Sequence, residues 1–397
     1  MNKKSAFGII FLTTFLDLLG FGLIIPILPK LSLSLGATEL QAGLIASVYP
    51  LMNFAFSHFW GSLSDKHGRR PIILISVLIT AIAYIGFSQS HALWILIASR
   101  ILAGIGSANL GAAQAYIADI STPEERTKSM AMIGAAFGLG FICGPPIGGW
   151  LKSDFGLQAL GLTAAGLSFA NFVFAYFLLP ESLQQKKQII VRQNPIKAIL
   201  AAMKKKELRP IFWISFLFTI AFSMMQITAV WLWGDYSGFS EKQIGGVFMF
   251  IGLCSVVVQA FLVGPISKRF SETQMLLSGL LLCGIGLFSL PFFQGNLFFP
   301  FEYIALALIS LANGLINPSM MSIITKRCKP DEIGSTTGVY QSFGSLGRVI
   351  GPFIGGGFYG LWYILPYIGG PILLIIALVL LFTQMKTNPK MGIAKEK

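Results

Sequence analysis

The chain has 397 residues, of which 54% are hydrophobic and 11% charged, with a mean hydropathy of +0.73 and a formal net charge of +13. That much apolar surface exceeds what a soluble core can bury, and its apolar runs exceed the ~18–20 residues that cross a bilayer, so a soluble globular protein is excluded. The basic excess would suit a nucleic-acid partner only if it were gathered on one exposed surface, and it is not.

Of the 29 Lys and Arg, 24 fall in the two termini and in alternate loops on one side of the predicted spans. Lys30, Lys152 and Lys242 fall on the other side, and Arg100 and Arg348 lie within apolar runs. So strong an asymmetry places both termini in the cytoplasm. The charge is topological, aided by anionic membrane lipid, and needs no nucleic acid. Cys143, Cys254, Cys283 and Cys328 lack metal-ligand spacing, and three lie in apolar runs, so neither a metal site nor a disulfide is expected. Lys3-Lys4 followed by an apolar run mimics a signal peptide. That run continues to about Leu28 with no small-residue cleavage site, so it is read as a retained first helix.

Taken in order, the apolar runs predict twelve spans: 6–29, 42–63, 71–90, 92–118, 129–151, 156–179, 210–234, 241–263, 273–293, 300–325, 334–360 and 362–383. The segment 180–209 carries eight basic residues and no span-length apolar run, and reads as a cytoplasmic linker. It divides an N-terminal six-helix bundle, 1–179, from a C-terminal one, 210–397 with a short cytoplasmic tail. An internal repeat supports this division. At an offset of 207, Pro123-Glu124-Glu125 aligns with Pro330-Asp331-Glu332, and Gly140, Gly144-Pro145 and Ile147-Gly148-Gly149 align with Gly347, Gly351-Pro352 and Ile354-Gly355-Gly356. Six spans separate the copies, so the repeats are parallel.

The first span holds Asp17 in Asp17-Leu-Leu-Gly20-Phe-Gly22, followed by Pro26 and Pro29. An acid about eleven residues into a span sits roughly 16 Å deep, near mid-membrane. It is protonated, paired or facing water, and can load and release a proton; a structural ion pair or helix–helix hydrogen bond is the other reading. Between the second and third spans lies Gly61-Ser-Leu-Ser-Asp65-Lys-His-Gly68-Arg69-Arg70, a short basic turn whose Gly61 and Asp65 share a helix face. In the fourth span Arg100, Gly104, Ser107, Ala108 and Gly111 share a face that runs toward Asp119; an arginine there lowers the pKa of a neighbouring acid, with Asp17 the candidate partner. Asp119 lies at the cytoplasmic end, where Arg126 or the basic turn would pair with it. In the fifth span Gly140, Gly144 and Gly148 form one smooth stripe beside Pro145, Pro146 and Gly149.

The second half is less marked. Phe218, Phe222 and Gln226 recur at i, i+4 and i+8 in the seventh span, and Ser310, Asn313 and Asn317 share a face of the tenth. Arg348, in the eleventh span, aligns with Phe141 of the first repeat and must find a carboxylate, carbonyls or water. The copy of the basic turn, Gly264-Pro-Ile-Ser-Lys268-Arg269, lacks an aspartate. No phosphate-binding loop and no nucleophile–histidine–acid set occurs, and His58, His67 and His91 are scattered, so neither an enzyme nor ATP-driven work is expected.

The basic turn resembles the G-x-x-x-D-x-x-G-R-R signature loop of the major facilitator superfamily. The helix-one, helix-four (R-x-x-x-G) and helix-five glycine–proline motifs are similar to those of its twelve-helix drug–proton antiporters, nearest the tetracycline-efflux type. The resemblance implies an all-α integral membrane protein of two six-helix bundles rocking about a central cavity. It implies a conformational latch formed by Gly61, Asp65, Gly68, Arg69 and Arg70, with Asp119 and Arg126 added by their position. Proton transfer through Asp17 and Arg100 is implied, as is packing through Gly140, Gly144, Pro145, Gly148 and Gly149 that biases the protein to exchange. Helices one, four, seven and ten line the family's cavity, so Phe218, Phe222, Gln226, Asn313, Asn317 and Arg348 become candidate substrate contacts. One departure is plain: tetracycline antiporters carry an acid in helix nine, and residues 273–293 hold none. The expectation is proton-coupled efflux of a small amphiphile across the inner (plasma) membrane by a monomer, with protons and lipids as partners and no cofactor or metal. Export or flipping of a lipid or endogenous metabolite stands as an alternative, and a non-transporting receptor or scaffold as a second.

Overall fold

The computed structural model describes residues 3–121, 126–183, 203, 207–328 and 333–387. Among them the chain is helical, with no β-strand. The helices are α1 (Lys3–Ile24), α2 (Leu28–Ser34), α3 (Glu39–His67), α4 (Arg69–Ser88), α5 (Leu93–Gly106), α6 (Leu110–Ile120), α7 (Arg126–Leu178), α8 (Arg209–Ser237), α9 (Glu241–Val257), α10 (Val263–Arg269), α11 (Glu272–Ser289), α12 (Tyr303–Arg327), α13 (Ile333–Leu361) and α14 (Leu365–Thr387). Most of the predicted linker, and the Pro123–Glu125 and Pro330–Glu332 copies of the repeat, lie outside the described residues.

Nine stretches among the described residues are long and apolar enough to cross a membrane. The difference from the twelve predicted has two sources. α3 and α13 are not among the nine, being diluted by Gly, Ser and other polar residues. The predicted spans 129–151 and 156–179 run together in α7, bent at Gly156 with φ 83° and ψ 176°, so a single glycine makes the reversal that a loop was expected to make. Large apolar side chains such as Trp94, Phe177, Phe261 and Leu361 point outward, as lipid contact requires.

The chain forms two units, Met1–Arg192 with Phe239–Phe250, and Gln193–Gly238 with Ile251–Lys397. The first turns of α9 therefore go with the first unit, and the close approaches there explain why. A Cβ on Gly149 would strike the Glu241 carbonyl, one on Gly245 would lie 2.5 Å from the Pro145 carbonyl, and Lys30 Nζ donates to the Phe239 carbonyl at 2.9 Å.

Within each unit the same device joins two helices. In the first, a Cβ on Gly140 would lie 2.9 Å from Leu18 Cβ, one on Gly144 would lie 2.7 Å from Gly22 Cα, and one on Gly148 would strike the Leu23 carbonyl. In the second, Gly347 meets Thr219 at 2.8 Å, Gly351 meets the Ile220 carbonyl and Ser223 at 2.8 Å, and Gly355 meets Met224 at 2.7 Å. The two triads are the repeat positions 207 residues apart. Apolar surface gains nothing by leaving lipid for protein, so close backbone packing supplies the association, and only glycine permits it.

The consequence is testable by a paired substitution. Gly148→Ala is expected to lower the thermal stability of the purified protein by an amount equivalent to about 1–3 kcal/mol, the usual cost of forcing atoms into a packed contact. Gly166→Ala, on the same helix with open space around it, should leave the melting temperature unchanged or raise it. Equal melting of the two variants would remove the packing argument.

Candidate functional site

The residues singled out by sequence fall in three clusters. The first is the foot of α3 and the start of α4. Gly68 sits between them at φ 111°, a conformation that excludes most side chains. It lets α4 begin at once, with its first backbone N–H groups facing outward. Glu181, which follows α7, accepts from the Arg69 N–H at 2.9 Å and the Arg70 N–H at 3.2 Å. A carboxylate at a helix start satisfies orphan donors and complements the helix dipole.

Arg69 is buried, and two nitrogens of its guanidinium are engaged. Nη1 pairs with Asp65 and donates to Ser64 Oγ at 2.7 Å, while Nε donates to Asp119 Oδ2 at 3.1 Å. Asp119 also accepts from Ser182 Oγ at 3.2 Å. Arg70 donates to the Tyr176 carbonyl at 2.5 Å and stacks over the Tyr176 ring at 5.6 Å. Gly61 is buried, and its carbonyl accepts from Ser64 Oγ at 2.8 Å. Asp65, Arg69 and Asp119 are thus brought together, while the Arg126 side chain lies outside the described residues. Sequence reading missed Glu181 and Ser182 because they are distant in the chain and follow no local pattern.

The second cluster surrounds Asp17. The helical run of α5 breaks at a short 3-10 turn, Ser107–Asn109, and this turn presents Asn109 to α1 and α4. Asn109 Nδ2 donates to Asp17 Oδ2 at 3.1 Å and to Ser76 Oγ at 2.8 Å. The other oxygen, Asp17 Oδ1, is buried with no hydrogen-bond partner. The expected Asp17–Arg100 pair is not made: among the described residues Asp17 forms no ion pair. Arg100 is buried, lies 4.8 Å over the Phe87 ring and keeps Nη2 unpartnered. The physical reason is depth. Arg100 and Asn109 are nine residues apart, about 14 Å along a helix, so an acid bonded to Asn109 is too far along the axis to reach Arg100. Tyr84 lies within electrostatic reach of both Asp17 and Arg100, and its hydroxyl would be 2.9 Å from a Cβ on Gly20.

The third cluster is in the second unit. Asn317 Nδ2 donates to Asn313 Oδ1 at 2.5 Å, and Tyr340 Oη donates to Asn317 Oδ1 at 3.3 Å. Tyr340 is also within electrostatic reach of Arg348, whose Nη2 donates to Ser345 Oγ at 3.2 Å. Tyr340, itself unpredicted, therefore bonds one predicted residue, Asn317, and lies near a second, Arg348. Phe218 is buried and stacks on Phe222 at 6.0 Å, and Gln226 is half-buried on the same helix.

The sequence matches the family model of the Major Facilitator Superfamily over residues 10–352 and 258–397. The chain belongs to the major facilitator superfamily. Among its relatives is the tetracycline resistance protein, class C, of Escherichia coli, 32% identical over 393 residues that cover 95% of this chain and 96% of that one. Multidrug resistance protein 2 of Bacillus subtilis (strain 168) is 27% identical and covers 95% and 94%. The crystal structure of the human organic anion transporter MFSD10 (TETRAN) shares the fold with a TM-score of 0.73 at 24% identity, covering 96% of this chain and all of that one. This facilitator is a multi-pass membrane transporter and not an enzyme, and the superfamily carries small molecules.

The signature loop of this facilitator makes its own prediction. Glu181→Ala should destabilise the protein by about 0.5–2 kcal/mol, the usual cost of losing a helix cap. Gly68→Ala should cost more, because it strains φ and also displaces the Glu181 carboxylate, which a Cβ at Gly68 would strike. In the double variant the carboxylate is already absent, so the two losses should sum to less than additive. Additive losses in thermal melts would show that Glu181 and Gly68 do not act together.

Proposed function

We propose that this facilitator exports a small amphiphilic, drug-like molecule in exchange for protons by alternating access. The reading includes twelve spans, six on each side of a linker at 180–209, both termini in the cytoplasm, and residence in the inner (plasma) membrane as a monomer whose basic loops meet anionic lipid. The observation that carries it is the Asp17 carboxyl. It lies within a membrane-spanning helix, with one oxygen bonded to Asn109 and the other buried without a partner. An intramembrane acid held this way is costly as an anion and unsatisfied as a bare acceptor, so it is suited to bind a proton and to lose it when water reaches it. Arg100, also buried and incompletely partnered, would favour that loss only in a conformation that brings it nearer to Asp17 than the one seen here.

Efflux is supported by similarity, over nearly the whole chain, to a tetracycline resistance protein and a multidrug resistance protein. An amphiphilic substrate is supported by the residues of the second unit. Asn313, Asn317, Tyr340 and Arg348 offer donors and acceptors, and Phe218, Phe222 and Gln226 offer an aromatic surface with one amide. In this reading Gly61, Asp65, Gly68, Arg69, Arg70, Asp119 and Arg126 form the cytoplasmic latch. Gly140, Gly144, Pro145, Gly148 and Gly149 hold helices tightly enough to stop proton leak.

The test uses the purified protein in vesicles loaded with a pH-sensitive dye and placed under a proton gradient. Amphiphilic cations, tetracyclines and lipids are added in turn, to the native protein and to Asp17→Asn. At least one amphiphile should trigger proton flux, and Asp17→Asn should reduce that flux to the level of protein-free vesicles. Flux that survives the substitution removes Asp17 from the proton path. Substrate movement without proton flux replaces antiport with uniport or lipid flipping.

A further inference from the structure

The second unit holds a buried acid that none of the three clusters uses. Glu302 immediately precedes α12, and its side chain has no solvent exposure. Oε1 accepts from Trp233 Nε1 at 2.7 Å, and Oε2 is buried with no hydrogen-bond partner. Its surroundings are neutral. From α8 it faces Trp233, from α14 it faces the Tyr367 hydroxyl, and from the 290–297 segment it faces Gln294. Among the described residues it forms no ion pair. The one carboxyl on α8 is Asp235, which accepts from Tyr359 Oη at 3.5 Å.

A carboxylate anion in this place would leave half its charge on an oxygen with no hydrogen bond of its own and no cation beside the group, its neighbouring donors being the neutral Trp233 and Gln294. The neutral acid removes that cost, and the Trp233 N–H remains a good donor to its carbonyl oxygen. A route outward is also present. Gln294 lies beside the carboxyl, Ser237 Oγ donates to Gln294 Oε1 at 2.7 Å, and Ser237 is the last residue of α8. Trp233 is four residues earlier, so the acid lies only about one helical turn, roughly 6 Å, from that helix end. On the topology proposed above, this is the end away from the cytoplasm, where inward-moving protons arrive.

We infer that Glu302 is a second proton-binding site of this transporter, placed in the second unit and separate from Asp17. It holds a proton in the conformation seen here. When Gln294 and Ser237 part and water enters, the O–H bond breaks, the proton passes to water, and the carboxylate left behind keeps the Trp233 N–H bond. The inference rests on the proton-coupled reading for its role, but the binding site itself can be tested without any substrate.

The experiment is infrared difference spectroscopy of the full-length protein in lipid, titrated from about pH 5 to about pH 10, a range that brackets strongly perturbed carboxyl groups. The native protein should show the C=O stretch of a protonated carboxylic acid that disappears as pH rises. Glu302→Gln should lack that band, Trp233→Phe should shift it because the carbonyl loses its donor, and Asp17→Asn should leave it in place. Glu302→Gln keeps an acceptor for Trp233 and should melt at or above the native temperature, whereas a structural acid would melt lower. A band unchanged in Glu302→Gln, or one that persists unaltered to the top of the range, overturns the inference. Because this readout needs no transport, silence in the vesicle assay would count against the efflux reading and not against the site.

Discussion

Contact between backbones, made possible by glycine, is the constraint on which the rest of this molecule depends. Gly140, Gly144 and Gly148 hold α7 against residues 18–23 of α1 at distances where a methyl group does not fit. That contact fixes the rotation of α1 as well as its position. With Leu18, Gly22 and Leu23 turned toward α7, Asp17 is turned toward the 3-10 segment and meets Asn109. A bilayer offers no hydrophobic drive for such placement, so the stripe is what orients the acid. In the second unit Gly347, Gly351 and Gly355 set residues 216–224 of α8 in the same manner, and the register of Trp233 further along that helix follows from it.

At the end of the first unit where α4 begins, the controlling feature is again a backbone one. Gly68 turns the chain so sharply that α4 starts with its donors bare, and Glu181 closes them. The arginines that give the turn its basic character are then free for other partners. Arg69 joins Ser64 and Asp65 through Nη1 and Asp119 through Nε, a spread of donors that the planar, forked guanidinium provides. Glu181, Ser182 and the Tyr176 carbonyl belong to the segment that closes this unit, so the turn is tied to chain more than 100 residues away.

What the sequence could disclose followed the range of the interaction. The helices were legible because apolar runs and breakers are local, and the glycine triads because their spacing repeats at a constant offset. α7 shows the same locality: the polar Lys152-Ser153-Asp154 announced a break beside Gly156, although the helix runs through those residues and only Gly156 leaves it. Asp17 and Arg100 were each visible as charges in apolar runs, but their expected pairing ignored the depth difference set by nine residues of helix. Asn109, the partner Asp17 has, carried only the weak signal of an amide within a span. Glu302 carried a stronger one, a lone acid between Phe301 and Tyr303, and escaped notice because it lies at the edge of its predicted span. Glu181 and Tyr340 gave no local signal, since their meaning comes wholly from residues distant in the chain.

The polar atoms that remain unsatisfied separate function from packing. Most buried hydroxyls in these helices solve their own problem by bonding a carbonyl three or four residues back, as Thr14, Ser32, Ser76, Ser99 and Thr228 do. Ser168, Ser223 and Ser319 leave a neutral hydroxyl unpaired, which costs little beside an orphaned ionisable group. Asp17 Oδ1, Arg100 Nη2 and Glu302 Oε2 are different, because each belongs to a group whose charged form lacks a full set of partners here; Arg70 Nε at the start of α4 and Arg327 Nη1 at the end of α12 are unpaired as well. An apolar or amide residue would be cheaper at each place. A group whose missing partner is a proton fits the proton-coupled, alternating-access reading proposed above.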